Sequence, residues 1–150
     1  MSLHPILHVE DSNEDVFLVQ YAFKRAEITN PAQVVTDGQM AIDYLSGAGK
    51  FTDRTQFPLP GLVLLDLKLP HVIGMEVLAW IRQQPSLKRL IVIILSSSGQ
   101  EGDIARAYEL GVNGFLVKPA DANTLADMCK ALKHFWLTYN QSAMDFLNMP

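Results

Sequence analysis

Cysteine is nearly absent. Cys129 is the sole one among 150 residues, which excludes an internal disulfide and a cysteine-based zinc cluster and points to a reducing compartment. Long apolar runs are missing too. The longest, such as Leu90–Leu95, falls far short of the about 20 residues that span a bilayer. The first residues, Met1-Ser2-Leu3-His4-Pro5, lack the charged and apolar regions of a signal peptide. There is no basic run: 12 Lys and Arg are scattered among 16 Asp and Glu, for a net charge of −4. A nucleic-acid-binding face is therefore not expected. Neither internal repeats nor low-complexity tracts occur. The expectation is a cytoplasmic protein with neither membrane nor nucleic acid among its partners. With 49% hydrophobic and 19% charged residues, the chain is too apolar for disorder and long enough to bury one core unaided.

What the chain does contain is a fivefold alternation of short apolar runs and amphipathic stretches. The strand candidates are Ile6–Val9, Gln33–Thr36, Leu62–Leu65, Leu90–Leu95 and Phe115–Val117. The helix candidates are Ser12–Glu27, Gly38–Leu45, Met75–Gln84, Glu101–Leu110 and Asp121 to about Tyr139. Ser12 and Asp15 stand at capping-box spacing, Gly111 closes the fourth helix, and Asp121 or Asn123 caps the last. Continuously apolar strands such as Leu62–Leu65 suit a parallel sheet buried on both faces. The pattern predicts an α/β, flavodoxin-like, doubly wound five-stranded parallel sheet of order 2-1-3-4-5, with helices on both faces. Ser46–Pro60, with Gly47, Gly49, Pro58 and Pro60, reads as a long surface connection.

In such a sheet, ligands bind beyond the carboxyl ends of the strands where strand order reverses. The first strand ends in Glu10-Asp11, the third in Asp66, the fourth in Ser96-Ser97-Ser98 and the fifth in Lys118-Pro119. Each residue alone reads as an ordinary turn, cap or solvated group. Together they deliver three carboxylates, a hydroxyl cluster and an amine to one rim. Gathered carboxylates repel unless a cation joins them. An all-oxygen donor set suits a hard ion, here Mg²⁺, which shares its sphere readily with phosphate. Lys118 and Ser96 are donors suited to phosphate oxygens, and Asp66, the central carboxylate, is the candidate nucleophile toward phosphorus.

These residues resemble a response-regulator receiver domain of two-component signalling. The matching set is Glu10-Asp11, Asp66 in Leu-Leu-Asp-Leu-Lys-Leu-Pro, Gly74, Ser96, Gly111, Phe115 and Lys118-Pro119, spread over about residues 5–138. The resemblance implies that Asp66 is the phosphoacceptor, with Mg²⁺ held by Glu10, Asp11, Asp66 and the backbone carbonyl of Lys68. It implies that Ser96 and Lys118 bind the phosphoryl group, and that Ser96 and Phe115 form the switch. It also implies a cis Lys118–Pro119 bond. More narrowly, the Ser46–Pro60 insertion, Tyr44-Leu45 and Phe135-Trp136 resemble the stand-alone receivers that partner cyanobacterial phytochromes.

The resulting expectation is a single receiver domain over residues 1–150 with a short tail from about 140. It would be phosphorylated by a phytochrome-type histidine kinase and signal through protein contacts or a downstream phosphorelay protein, with no DNA-binding output domain. It would be a phosphoacceptor rather than an enzyme, with weak self-phosphotransfer and autodephosphorylation. Phe135, Trp136, Met144, Phe146, Leu147 and Met149 suggest a homodimer through the C-terminal region. Departures from the family pattern are Lys68 two residues after the acceptor, Ile73 before Gly74, and Ser96 where Thr is commoner. A haloacid-dehalogenase-type phosphatase would need a second Asp where Lys68 stands. A flavodoxin would need a Ser/Thr/Gly-rich phosphate loop where Glu10-Asp11 stand. A receiver-like interaction scaffold that is never phosphorylated is the remaining alternative. His4 and His8 alternate on a strand without companion ligands, and Cys129 reads as a small apolar core residue.

Overall fold

The computed structural model describes residues 4–144. Phe146, Leu147 and Met149 of the apolar tail lie outside them. Five parallel strands form one sheet in the order β2-β1-β3-β4-β5, as the alternation predicts. They are β1 (Ile6–Val9), β2 (Ala32–Val35), β3 (Leu62–Leu65), β4 (Ile91–Ser96) and β5 (Gly114–Val117). The helices between and after them are α1 (Asn13–Arg25), α2 (Gly38–Ser46), α3 (Gly74–Gln83), α4 (Glu101–Glu109) and α5 (Ala122–Leu132).

Every residue of β1, β3 and β4 is buried, because helices cover both faces of the central strands. The period-2 geometry of a strand divides the core in two. Leu7, Val9, Val63, Leu65, Val92 and Ile94 point toward Ala41, Tyr44, Val77, Leu78 and Ile81 of α2 and α3. Ile6, Leu62, Leu64, Ile93 and Leu95 point toward Val19, Ala22, Phe23, Leu125, Ala126 and Cys129 of α1 and α5. Register then sets the rim. Val9 pairs with Leu65, Leu65 with Ile94, and Ile94 with Phe115. Glu10 and Asp66 therefore leave neighbouring strands at the same level.

The helix ends follow local chemistry. Ser12 caps α1, its Oγ accepting from the Asp15 amide at 3.2 Å. Asp37 caps α2, accepting from the Met40 amide at 2.7 Å. Asp121 caps α5, while Asn123 accepts a hydrogen bond from Arg25 of α1 at 2.6 Å. Gly111 follows α4 with φ +92°, a conformation that costs a side-chain-bearing residue energy.

Three expectations need correction. Ser46–Pro60 is more than a surface connection. Phe51, at the end of a short 3₁₀ turn, is buried in the core. Its ring lies 5.1 Å from those of both Tyr44 and Phe57. The Arg54 guanidinium donates to the carbonyls of Tyr44, Leu45 and Phe57 at 2.7, 2.9 and 3.2 Å. The segment folds back because it carries its own aromatic anchors and a cation for the orphan carbonyls at the end of α2.

The last helix is also not uniform. After Leu132 it widens into a π-helical segment, Lys133–Tyr139, closed by an i to i+5 bond from the Asn140 amide to the Phe135 carbonyl at 2.8 Å. The chain then carries Met144, expected on an exposed patch, into the buried core cluster, where burial of its apolar side chain is favourable. Finally, Lys118–Pro119 is trans, since no cis bond occurs among the described residues. The trans form is the intrinsically favoured one, by about 0.5–1 kcal/mol.

Candidate functional site

The carboxyl ends of β1, β3, β4 and β5 converge as the strand order requires. Glu10 follows β1 and is almost fully buried, Asp11 beside it is exposed, and Asp66 follows β3 and is buried. One ligand oxygen from each lies within 4.8 Å of the others. Glycine makes the acceptor loop compact: a Cβ at Gly74 would overlap the Asp66 carbonyl oxygen and sit 2.7 Å from the Leu67 Cα. Ile73, a departure from the family pattern, leaves the turn intact, with the Gly74 amide donating to the Leu67 carbonyl at 3.0 Å. The Lys68 amide lies 3.5 Å from Asp66 Oδ1 and its side chain is exposed.

Lys118 enters from β5, anchored by its amide, which donates to the Ser96 carbonyl at 2.7 Å. Its Nζ lies 2.6 Å from Glu10 Oε1, 2.9 Å from Asp15 Oδ2 and 3.5 Å from Asp66 Oδ2. An ammonium has three protons, and three carboxylates surround it. Burial alone would pull this amine down. The hydrogen bonds to Glu10 and Asp15, with the field of Asp66, outweigh burial and hold it above the ordinary lysine range. Glu10 moves the other way from a normal carboxylate. Burial, and the adjacent Asp66, push it up to about 7 against the pull of Lys118.

Ser96, at the end of β4, is fully buried, and its Oγ accepts from the Ser98 amide at 3.1 Å. Phe115 on β5 is half-buried against the core beneath α2 and α3. Below the pocket on β1, His8 is buried. Burial and the nearby Lys118 charge lower its pKa to about 4, so it is a neutral core imidazole.

Glu10, Asp11, Asp66, Ser96 and Lys118 all stand at or just past the carboxyl ends of their strands. Sequence reasoning placed Asp15 only as a capping partner. Its side chain is the second carboxylate on Lys118. The available signal was its position in the first turn of a helix that starts just after the acidic pair.

The arrangement can hold a hard divalent cation in an all-oxygen donor set, since one oxygen each of Glu10, Asp11 and Asp66 lies within 4.8 Å of the others. It also presents one carboxylate beside a protonated amine. The fold and this rim define a class: the chain belongs to the response regulator receiver domain family, whose model matches residues 6–130. That is a signalling family, whose members interact with histidine kinases and bind a divalent metal at this acidic pocket.

Within it, the chain is similar to the response regulator Rcp1 of Synechocystis sp. (strain ATCC 27184 / PCC 6803 / Kazusa), with 41% identity over 132 residues covering 88% of each chain. It is also similar to the phosphorylated cyanobacterial phytochrome response regulator RcpA, with 36% identity, a TM-score of 0.87, and 95% of this chain and 99% of that one covered. The Mn²⁺-bound form of Rcp1 superposes with a TM-score of 0.83 at 39% identity, covering 93% of this chain and 98% of that one. The chain is thus a response regulator receiver, similar over most of its length to phytochrome response regulators. Among the described residues no helix is long and apolar enough to cross a membrane.

Proposed function

We propose that Asp66 accepts a phosphoryl group from a histidine kinase, of the phytochrome type that the relatives suggest, with Mg²⁺ as the resident cation. The observation that carries this reading is the placing of the Lys118 ammonium 3.5 Å from Asp66 Oδ2, with Glu10 and Asp11 offering oxygens within 4.8 Å of the same carboxylate. A carboxylate oxygen of Asp66 attacks phosphorus, and the phosphorus–nitrogen bond of the donor phosphohistidine breaks. The imidazole leaves with the electron pair and takes up a proton. Glu10, Asp11, Asp66 and the Lys68 carbonyl would hold Mg²⁺, which neutralises charge on the transferring oxygens. Lys118 steadies the phosphoryl group from the other side, and the Ser96 hydroxyl turns to donate to it. Phe115 then settles further inward, shifting the population between two packings of α4, β5 and α5. The same pocket supports weak transfer from small acyl phosphates and slow self-hydrolysis.

In this reading residues 1–150 act as one receiver domain in the cytoplasm, and signalling runs through protein contacts or a phosphorelay. Phe135 and Tyr139, 58% and 76% exposed, support a homodimer through the C-terminal region. The test is incubation with Mg²⁺ and acetyl phosphate followed by intact-mass measurement. The wild type gains one phosphoryl mass and Asp66→Asn gains none. Equal labelling of the two proteins, or none in either, would overturn the proposal.

A further inference from the structure

Lys118 sits where two cations must coexist. Its tightest partner, Glu10 at 2.6 Å, belongs to the carboxylate trio able to hold a divalent ion. A cation on Glu10 competes with Lys118 for that carboxylate and repels the ammonium at close range. Asp15 is different. Its Oδ2 lies 2.9 Å from Lys118 Nζ, yet it stands outside the trio. It comes from α1, a separate element from the strand ends that carry the others. A small cleft of about 30 Å³ flanks the pair, and its other walls are Leu18, Val19, Leu95, Pro119 and Leu125. Among the described residues that line this cleft, Asp15 is the one polar side chain besides Lys118 itself.

We propose that Asp15 is a positioning residue for phosphoryl transfer: it tethers Lys118 beside Asp66 when the neighbouring carboxylates are engaged by metal. This rests on the phosphoacceptor reading above. Asp15 touches neither phosphorus nor the reacting oxygen; it acts through Lys118. Without it, the amine faces an apolar wall and a metal-occupied Glu10, and it leaves the approach to Asp66.

The experiment measures the initial rate of Asp66 labelling by acetyl phosphate at saturating Mg²⁺, in the full chain. Asp15→Asn keeps the shape and the backbone cap, which comes from the Asp15 amide rather than its side chain. We expect labelling about tenfold slower, the scale of a misplaced catalytic group. Asp15→Glu restores most of the rate. Glu14→Gln removes an equal charge from the same helical turn and leaves the rate unchanged, which separates tethering from the helix dipole. In a Lys118→Ala background, Asp15→Asn adds no further loss, because the effect passes through that amine. A wild-type rate for Asp15→Asn, or an equal further loss in the Lys118→Ala background, would overturn the tether while leaving Asp66 as acceptor. Wild type that takes no label at all would instead overturn the phosphoacceptor reading, and the tether with it.

Discussion

Lys118 Nζ and Glu10 Oε1 lie 2.6 Å apart although 108 residues separate them in the chain. The pair joins β5 to β1 across the mouth of the pocket, and it sets a contest between a fixed amine and a divalent ion for the same carboxylate. Lys118→Ala should therefore split two properties. Mg²⁺ binds more tightly, because a competing positive charge is gone. Labelling by acetyl phosphate slows by roughly 10²-fold, the scale of a lost charge-stabilising donor. Calorimetric Mg²⁺ titration beside intact-mass kinetics reads both; a parallel fall in affinity and rate would mean that the pocket had collapsed.

Metal binding should follow the protonation of Glu10. Its pKa is pushed up to about 7 from 4.5 by burial and by Asp66. A proton and a metal ion compete for the carboxylate, so Mg²⁺ affinity is expected to be roughly tenfold lower at pH 6 than at pH 8. Without metal the sign for stability is the reverse of the usual carboxylate. The folded chain keeps a proton that the unfolded chain releases, so the contribution is present below pH 4.5 and is lost as pH rises through about 7. The Mg²⁺-induced shift in melting temperature should consequently grow from pH 6 to pH 8.

His8 titrates in the opposite sense. Burial lowers it from 6.5 to about 4, so its contribution is present above pH 6.5 and is lost as pH falls toward 4. The Glu10 effect runs in the opposite sense over the shared window and offsets this contribution there. Replacing the imidazole exposes the difference. Relative to wild type, His8→Val should gain on the order of 2 kcal/mol between pH 7 and pH 4.5, measured by urea unfolding. An unchanged difference between the two pH values would show that the fold leaves the histidine pKa at its unfolded value.

The aromatic trio of Tyr44, Phe51 and Phe57 anchors the connection before β3, at a distance from the chemistry. Phe51→Ala removes a ring that is 5% exposed, and should lower unfolding stability by about 3–5 kcal/mol. The rate of Asp66 labelling in the surviving folded fraction should stay at the wild-type value. A selective loss of labelling would instead tie this connection to the pocket.

Much of this molecule was decided locally. Alternating apolar runs specify strands and helices through the period of side-chain direction, and parallel connections then leave few strand orders. Once the order is known, the residue that ends each strand is a rim residue, so Glu10, Asp11, Asp66, Ser96 and Lys118 could be read by position. Ser12, Asp37 and Asp121 announce helix starts because a short side chain next to its own backbone needs no tertiary partner.

What the tertiary structure alone decided are relations between side chains whose distance apart no local period encodes. Asp15 reads as a capping residue until α1 is packed on the sheet beside α5, which brings it to Lys118 at the end of β5. Phe51 and Arg54 read as loop residues until α2 presents a hydrophobic surface and its terminal carbonyls. Met144 reads as an exposed tail residue until the folded chain buries it in the core cluster. The raised Glu10 and lowered His8 pKa values have the same origin. Desolvation and the field of a distant lysine depend on where the completed fold puts them, and the order of the residues carries no record of that.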